Sequence, residues 1–296
     1  MNMKYLISIF SLLIIITSCN NGDQISDAYG NFEATEIIVS AQANGELMNL
    51  NLEEGDVLKT NQIVGLIDST DLYLRKKLLA QQIQTIKSQL VSIHSEIDVQ
   101  KQQLENNLIS QKRIEKLYSQ GAATKKQLDD INGLVDVNKK MIISVNSKKQ
   151  SILDQIEGVR IQIEQIEESI SKCVINNPVR GTVLVKYAEK GELAAMGKPL
   201  YKVADVENIK LKVYVSGSQL PKIKLGDEVE VLFDKDKNDN TKTKGKVIWI
   251  SNTAEFTPKT IQTKEERVNL VYAIKVLVKN DGSIKIGMPG EMDFVK

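Results

Sequence analysis

Few residues in this chain can make or break bonds, and their types and spacing narrow the chemistry at once. There is one histidine, His94, and there are two cysteines, Cys19 and Cys173. The 38 acidic residues show no distinctive pairing, and no Gly-rich loop precedes a helix in the manner of a phosphate site. A metal centre needs several convergent ligands and a nucleophilic triad needs a base beside its nucleophile. Neither can be assembled, so the sequence reads as a non-enzyme without metal or cofactor. What remains is recognition chemistry, concentrated in "RIEKLYSQGAATKKQLDD" from Arg113 to Asp130. Arg113 and Leu117, four residues apart, share a helix face and set a multidentate donor beside an apolar anchor, a pairing suited to docking on another helical segment. Thr124 with Gln127 three residues on forms a capping box that starts a helix.

The two cysteines have different expected fates. The opening "MNMKYLISIFSLLIIITSCN" places Lys4 before an apolar run that ends in small residues. It is a secretory signal peptide, too short to span a bilayer comfortably. The tail "IITSC" resembles the lipobox of bacterial lipoproteins, and the resemblance implies acylation at Cys19. Cys173 is then the sole thiol and no intramolecular disulfide can form. It falls on an apolar seam, as a small buried hydrophobe rather than a reactive group. The polar stretch "NNGDQISDAYG" reads as a flexible tether. His94 lies beside the same seam on a solvated face.

With 39 basic residues against 38 acidic ones there is no field to collect a polyanion, which argues against nucleic acid as a partner. One Trp and five Phe argue against a single large globular core.

The elements that position the central stretch are two long arms. Apolar residues recur in steps of three and four through Leu72, Leu79, Ile83, Ile86, Leu90, Ile93, Ile97 and Leu104. The pattern resumes through Leu128, Ile131, Val135, Ile142, Val145, Ile152, Ile156, Val159, Ile163, Ile166 and Ile170. Lys76, Gln100, Asn138 and Lys149 interrupt it. Such spacing predicts an antiparallel coiled-coil hairpin of roughly 70 Å, reversing at "SQGAAT", where Gly121 can take a left-handed backbone. Near the reversal the first arm's seam is expected to run through Asn107, Gln111, Ile114 and Tyr118. Leu108 and Leu117 are expected off it, facing something other than the hairpin.

An internal repeat brackets the arms. Placing Gly45 on Gly181 also places Gly55 on Gly191, Val64 on Leu200 and Ile67 on Val203 without a gap. Each copy carries short alternating strands and a glycine turn, "EEGD" or "EKGE", and neither can bury its apolar face alone. The two together resemble the lipoyl/biotinyl-carrier fold, although no lysine occupies the tip at which true carriers are modified. From Asn208 onward, strand-like runs such as "IKLKVYV", "KGKVIWI" and "VYAIKVLV" predict a small antiparallel β-barrel, with "GNFEATEIIV" near residue 30 adding a strand.

A split lipoyl-like domain, an inserted hairpin and a lipoprotein signal together resemble the HlyD-like membrane fusion proteins. "AEFTPKTIQTKEERVNLVYAIKV" is similar to adaptors of ABC-type exporters. The resemblance implies an α+β fold: a signal peptide over 1–18, a tether and first barrel strand over 19–35, lipoyl-like halves over 36–69 and 173–206, the hairpin over 70–172 with its tip at 113–128, and the β-barrel over 207–296. It implies a periplasmic adaptor, lipid-anchored to the inner membrane in preference to the outer. Its partners would be an inner-membrane transporter of ABC type, an outer-membrane channel of the TolC type, and further copies of itself, usually six. It also implies that Arg113, Leu117 and Thr124 contact that channel, Thr124 standing where the family carries Ser. The rival reading is a structural coiled-coil envelope lipoprotein, which accounts for Cys19 and the arms but not for the split repeat.

Overall fold

The structure, a computed structural model, describes residues 26–236, 239–256 and 270–295. The signal segment and Cys19 lie outside the described residues, as does most of the segment that resembles exporter adaptors.

The two arms are helices α1 (Thr70–Ser119) and α2 (Lys125–Ser171), packed along each other. The side chains turned away from solvent follow the 3-4 spacing: Leu79, Ile83, Ile86, Leu90, Ile93 and Ile97 on α1, and Val135, Val145, Ile152, Ile156 and Val159 on α2. The interruptions also face the seam. Lys76 and Lys149 are partly buried, and Lys76 crosses to Glu167 in a 2.7 Å ion pair. At the base, the Asp68 carboxylate accepts hydrogen bonds from the Thr70 N–H at 2.9 Å and its hydroxyl at 2.6 Å. These bonds hold the carboxyl below its ordinary range, and they fasten the chain where α1 begins.

Eight short strands around the hairpin form a sandwich. The first half contributes β2 (Glu36–Ser40), β3 (Gly45–Leu50), β4 (Val57–Leu58) and β5 (Ile63–Ile67). The second half contributes β6 (Val174–Asn176), β7 (Gly181–Lys186), β8 (Leu193–Ala194) and β9 (Pro199–Ala204). The sheets run β2-β9-β7-β4 and β6-β5-β3-β8, so each draws strands from both halves. Neither half can therefore close its own sheet, which is why the repeat can be split by a long insertion and still fold. Val64, Ile67, Leu200 and Val203, matched in pairs by the repeat, are all buried in one core. Cys173 belongs to this core rather than to the hairpin, because α2 ends at Ser171. Burial pushes its thiol up, and the Asp68 charge adds to that. Its carbonyl accepts the Ile67 N–H at 2.8 Å. Beside it the buried Tyr201 hydroxyl donates to Asn177 Oδ1 at 3.1 Å, and desolvation pushes that phenol well above its ordinary range.

The barrel is made of β1 (Ala28–Glu33), β10 (Asn208–Ser216), β11 (Glu228–Asp236), β12 (Asp239–Ile250), β14 (Leu270–Lys279) and β15 (Pro289–Phe294). The order β10-β1-β15-β11-β12-β14 closes through β10–β14, and the short β13 (Glu255–Phe256) pairs with the start of β14. "GNFEATEIIV" divides between the two β units: β1 enters the barrel and β2 the sandwich. Inward side chains alternate along β10 as Ile209, Leu211, Val213 and Val215, all buried. Phe32 meets Phe233 edge-to-face at 6.2 Å. A Cβ on Gly290 would stand 2.6 Å from the Phe32 ring, so this position keeps glycine to leave the ring room. A 3₁₀ turn, Leu220–Lys222, followed by buried Ile223, packs against the barrel core.

Candidate functional site: the hairpin tip

The reversal is built by two caps acting in series. Gly121 takes φ of 72°, its N–H donates to the Tyr118 carbonyl at 3.0 Å, and the next amide, Ala122, donates to the Leu117 carbonyl at 2.8 Å. This is the Schellman arrangement, which satisfies the last carbonyls of α1. Thr124 then opens α2. Its hydroxyl accepts the Gln127 N–H at 3.2 Å while the Gln127 side chain accepts the Thr124 N–H at 2.8 Å. The capping box read from the sequence is thus present in full.

The three tip residues share a region but not an environment. Arg113 is exposed, and among the described residues no carboxylate lies within ion-pairing distance of it. Thr124 is exposed with its hydroxyl engaged in the cap. Leu117 corrects the seam assignment: it is partly buried, whereas Tyr118 is 42% exposed. Leu108 is likewise partly buried. Positions three and four beyond Ile114 straddle the seam, so spacing alone does not decide which of the two turns inward. Leu117 is therefore partly shielded where it was expected to face outward, and Tyr118 is the aromatic presented to solvent.

Two features of the tip escape an apolar-periodicity reading. Asn107 and Asn138, each 7% exposed, are joined by a 3.1 Å bond from Nδ2 to Oδ1. One turn nearer the tip, Gln111 Nε2 donates to Asn132 Oδ1 at 2.7 Å. Leu134, Val137 and Met141 on α2 are exposed at helical spacing along one flank. The polar residues on both seams were the available signal for the amide pairs, but their pairing depends on the register of the arms.

Among the described residues no group of His, Cys, Asp and Glu is placed to hold a metal, and no helix is long and apolar enough to cross a membrane. His94 is exposed and lines a shallow groove of about 630 Å³ on the hairpin flank, together with Leu90, Val91, Leu153, Asp154 and Glu157.

A coiled-coil hairpin set into a split lipoyl-like sandwich and followed by a small β-barrel is a fold shared with solved structures that include a membrane fusion protein. MacA from Actinobacillus actinomycetemcomitans superposes with a TM-score of 0.58 at 22% identity, covering 90% of this chain and 78% of that one. The membrane fusion protein Spr0693 from Streptococcus pneumoniae superposes with a TM-score of 0.56 at 12% identity, covering 91% of this chain and 99% of its own. Curated relatives include the UPF0194 membrane protein YE2891 of Yersinia enterocolitica, 22% identical over 100% of both chains. A UPF0194 membrane protein of Citrobacter koseri is 25% identical over 90% of this chain and 87% of its own. No family model matches the sequence.

Proposed function

We propose that this chain is the periplasmic adaptor of a tripartite efflux or secretion system, joining an inner-membrane ABC-type transporter at its β-domains to an outer-membrane channel at the hairpin tip. It is not an enzyme on this reading: substrate passes through the assembly unchanged. The observation that carries the reading is the hairpin itself. The 50-residue helix α1 extends roughly 75 Å from the sandwich and brings Arg113, which has no ion-pair partner among the described residues, close to its far end. A structural lipoprotein needs the length but not a split sandwich and barrel at the other end. Acylation at Cys19 supplies the anchor on the inner membrane, and the exposed Leu134, Val137 and Met141 support lateral packing of hairpins in a ring of copies, six by the family resemblance.

At the tip, Arg113 offers its guanidinium to carbonyls or a carboxylate of the channel, with Leu117 and Thr124 completing the contact. Leu117, being partly buried, contributes only its outer edge. The test is a cross-linker placed at exposed Lys116 in cells that carry the channel. Arg113→Asp is expected to abolish both the cross-link and export while ring assembly and melting stay unchanged. Normal export by Arg113→Asp and by Leu117→Ser would remove the tip from the reading. Palmitate incorporation, lost in Cys19→Ala, tests the anchor separately.

A further inference from the structure

The hairpin is unevenly built along its length. Its contiguous apolar cluster, Ile86, Ile156 and Val159 with Leu79, Ile83 and Ile152, lies in the half nearer the sandwich. Between residues 98 and 144 the one apolar side chain buried to the same degree is Val135. In its place stand the amide pairs Asn107–Asn138 and Gln111–Asn132.

Apolar seams that repeat every three and four residues are permissive about register, since sliding one arm by a heptad again brings Leu, Ile and Val face to face. The amides are not permissive. A slip of seven residues would set Asn107 opposite Ile131 or Val145 instead of Asn138, and Gln111 opposite Lys125 or Lys139 instead of Asn132. A buried amide that loses its partner is penalised far more heavily than one that keeps it. In the observed register no buried side-chain nitrogen or oxygen lacks a partner among the described residues.

We propose that the Asn107–Asn138 and Gln111–Asn132 pairs are a register pin, which fixes the height of Arg113 on one arm relative to the other arm, and which does so by giving up apolar burial in the distal hairpin. A buried polar pair in a coiled coil has this character: it specifies alignment at a cost in stability. The pin stands on the geometry of the hairpin. Its value for channel contact rests on the adaptor reading above.

The experiment uses the full chain carrying Cys19→Ala, with spin labels at Lys116→Cys and Asp129→Cys, and reads the interlabel distance together with amide hydrogen exchange. With both asparagines present, one narrow distance is expected. In Asn107→Leu/Asn138→Leu the distribution is expected to gain a second component displaced by up to about 10 Å, one heptad of helix. Either single Leu variant leaves a buried amide alone, and exchange over 98–144 is expected to accelerate about tenfold or more, with the second Leu restoring protection. An unchanged single distance once Gln111→Leu/Asn132→Leu is added to the double variant would show that the Gly121 and Thr124 caps alone set the register, and the pin would be refuted. Neutral single variants would refute it equally. Neither readout involves a channel or transport, so loss of the Lys116 cross-link with these results intact would count against the tip contact and not against the pin.

Discussion

Gly55 donates its backbone N–H to the carbonyl of Val183 at 2.9 Å, across the two halves of the sandwich. The same bond recurs with the halves exchanged, from Gly191 to Leu47 at 2.8 Å. The neighbours repeat it: Val183 N–H to Asp56 and Leu47 N–H to Glu192. The gapless alignment of Gly55 with Gly191 is therefore a pseudo-two-fold axis in space, and it makes the sandwich one cooperative unit although a hairpin of two long helices separates its halves in sequence.

The two glycines should behave as equivalents under mutation. Both take a left-handed backbone, φ of 96° at Gly55 and 89° at Gly191, and neither has an atom within 4 Å of the place a Cβ would occupy. The cost of alanine is then backbone strain without a clash, about 1–2 kcal/mol at either site. Urea unfolding of Gly55→Ala and Gly191→Ala should show similar downward shifts in midpoint. A neutral result at one and a loss at the other would contradict the equivalence.

Thr124 should matter to the fold whether or not it touches a channel. Removing its hydroxyl in Thr124→Ala leaves the Gln127 N–H without its cap and should cost about 1 kcal/mol, whereas Thr124→Ser should be nearly silent. Exchange of the amides at 125–128 separates the two variants, because the effect is confined to the first turn of α2. If Thr124→Ser exports normally and Thr124→Ala does not, the hydroxyl rather than the methyl is what the tip requires.

The hairpin, the split repeat and the barrel were legible from residue types because each rests on periodicity or on a glycine that a turn demands. The 3-4 spacing marks the seam from Leu72 to Leu104 and again from Leu128 to Ile170, and the structure keeps those positions away from solvent. The tip was harder. Leu117 and Tyr118 are adjacent and both near the seam, so spacing alone does not decide which one turns inward. The amide pairs were visible only as defects, Asn107, Gln111 and Asn138 on otherwise apolar stripes, because a sequence lists polar residues without saying which face each other. Likewise, Cys173 reads as the last seam position and in fact belongs to the sandwich core, since it lies two residues past the end of α2.

Two helix-interior glycines give a prediction of opposite sign. Gly133 and Gly158 lie within α2, and around each there is open space where a Cβ would project. Glycine loses more backbone freedom than alanine on entering a helix, so Gly133→Ala and Gly158→Ala should each stabilise the chain by up to about 1 kcal/mol. The sites stand on different stretches of α2, so the gains should add in the double variant. Calorimetric melting checks both the sign and the additivity, and destabilisation by Gly133→Ala would reveal a neighbour that fills its space in the assembled protein.

The buried thiol should make stability depend on alkaline pH. Cys173 is fully buried, and burial first, then the charge of Asp68, push its thiol up in the folded chain. In the unfolded chain it titrates near its ordinary value of about 8.5. Below that pH both states hold the proton and Cys173 adds no dependence. Above it the unfolded state releases the proton while the native state keeps it, so the unfolded state is favoured increasingly until the native thiol also ionises. The stability of the wild type should therefore fall more steeply above about pH 8.5 than that of Cys173→Ala, whose unfolding free energy is lower throughout but lacks this slope. Cys19, outside the described residues, does not disturb the comparison because it is the same in both chains. Iodoacetamide gives an independent check: native Cys173 should resist alkylation at pH 8 and react once the chain is unfolded in urea. Parallel pH profiles for the two proteins, with fast alkylation of the native chain, would mean that the base of the hairpin opens readily enough to expose the core that Cys173 occupies.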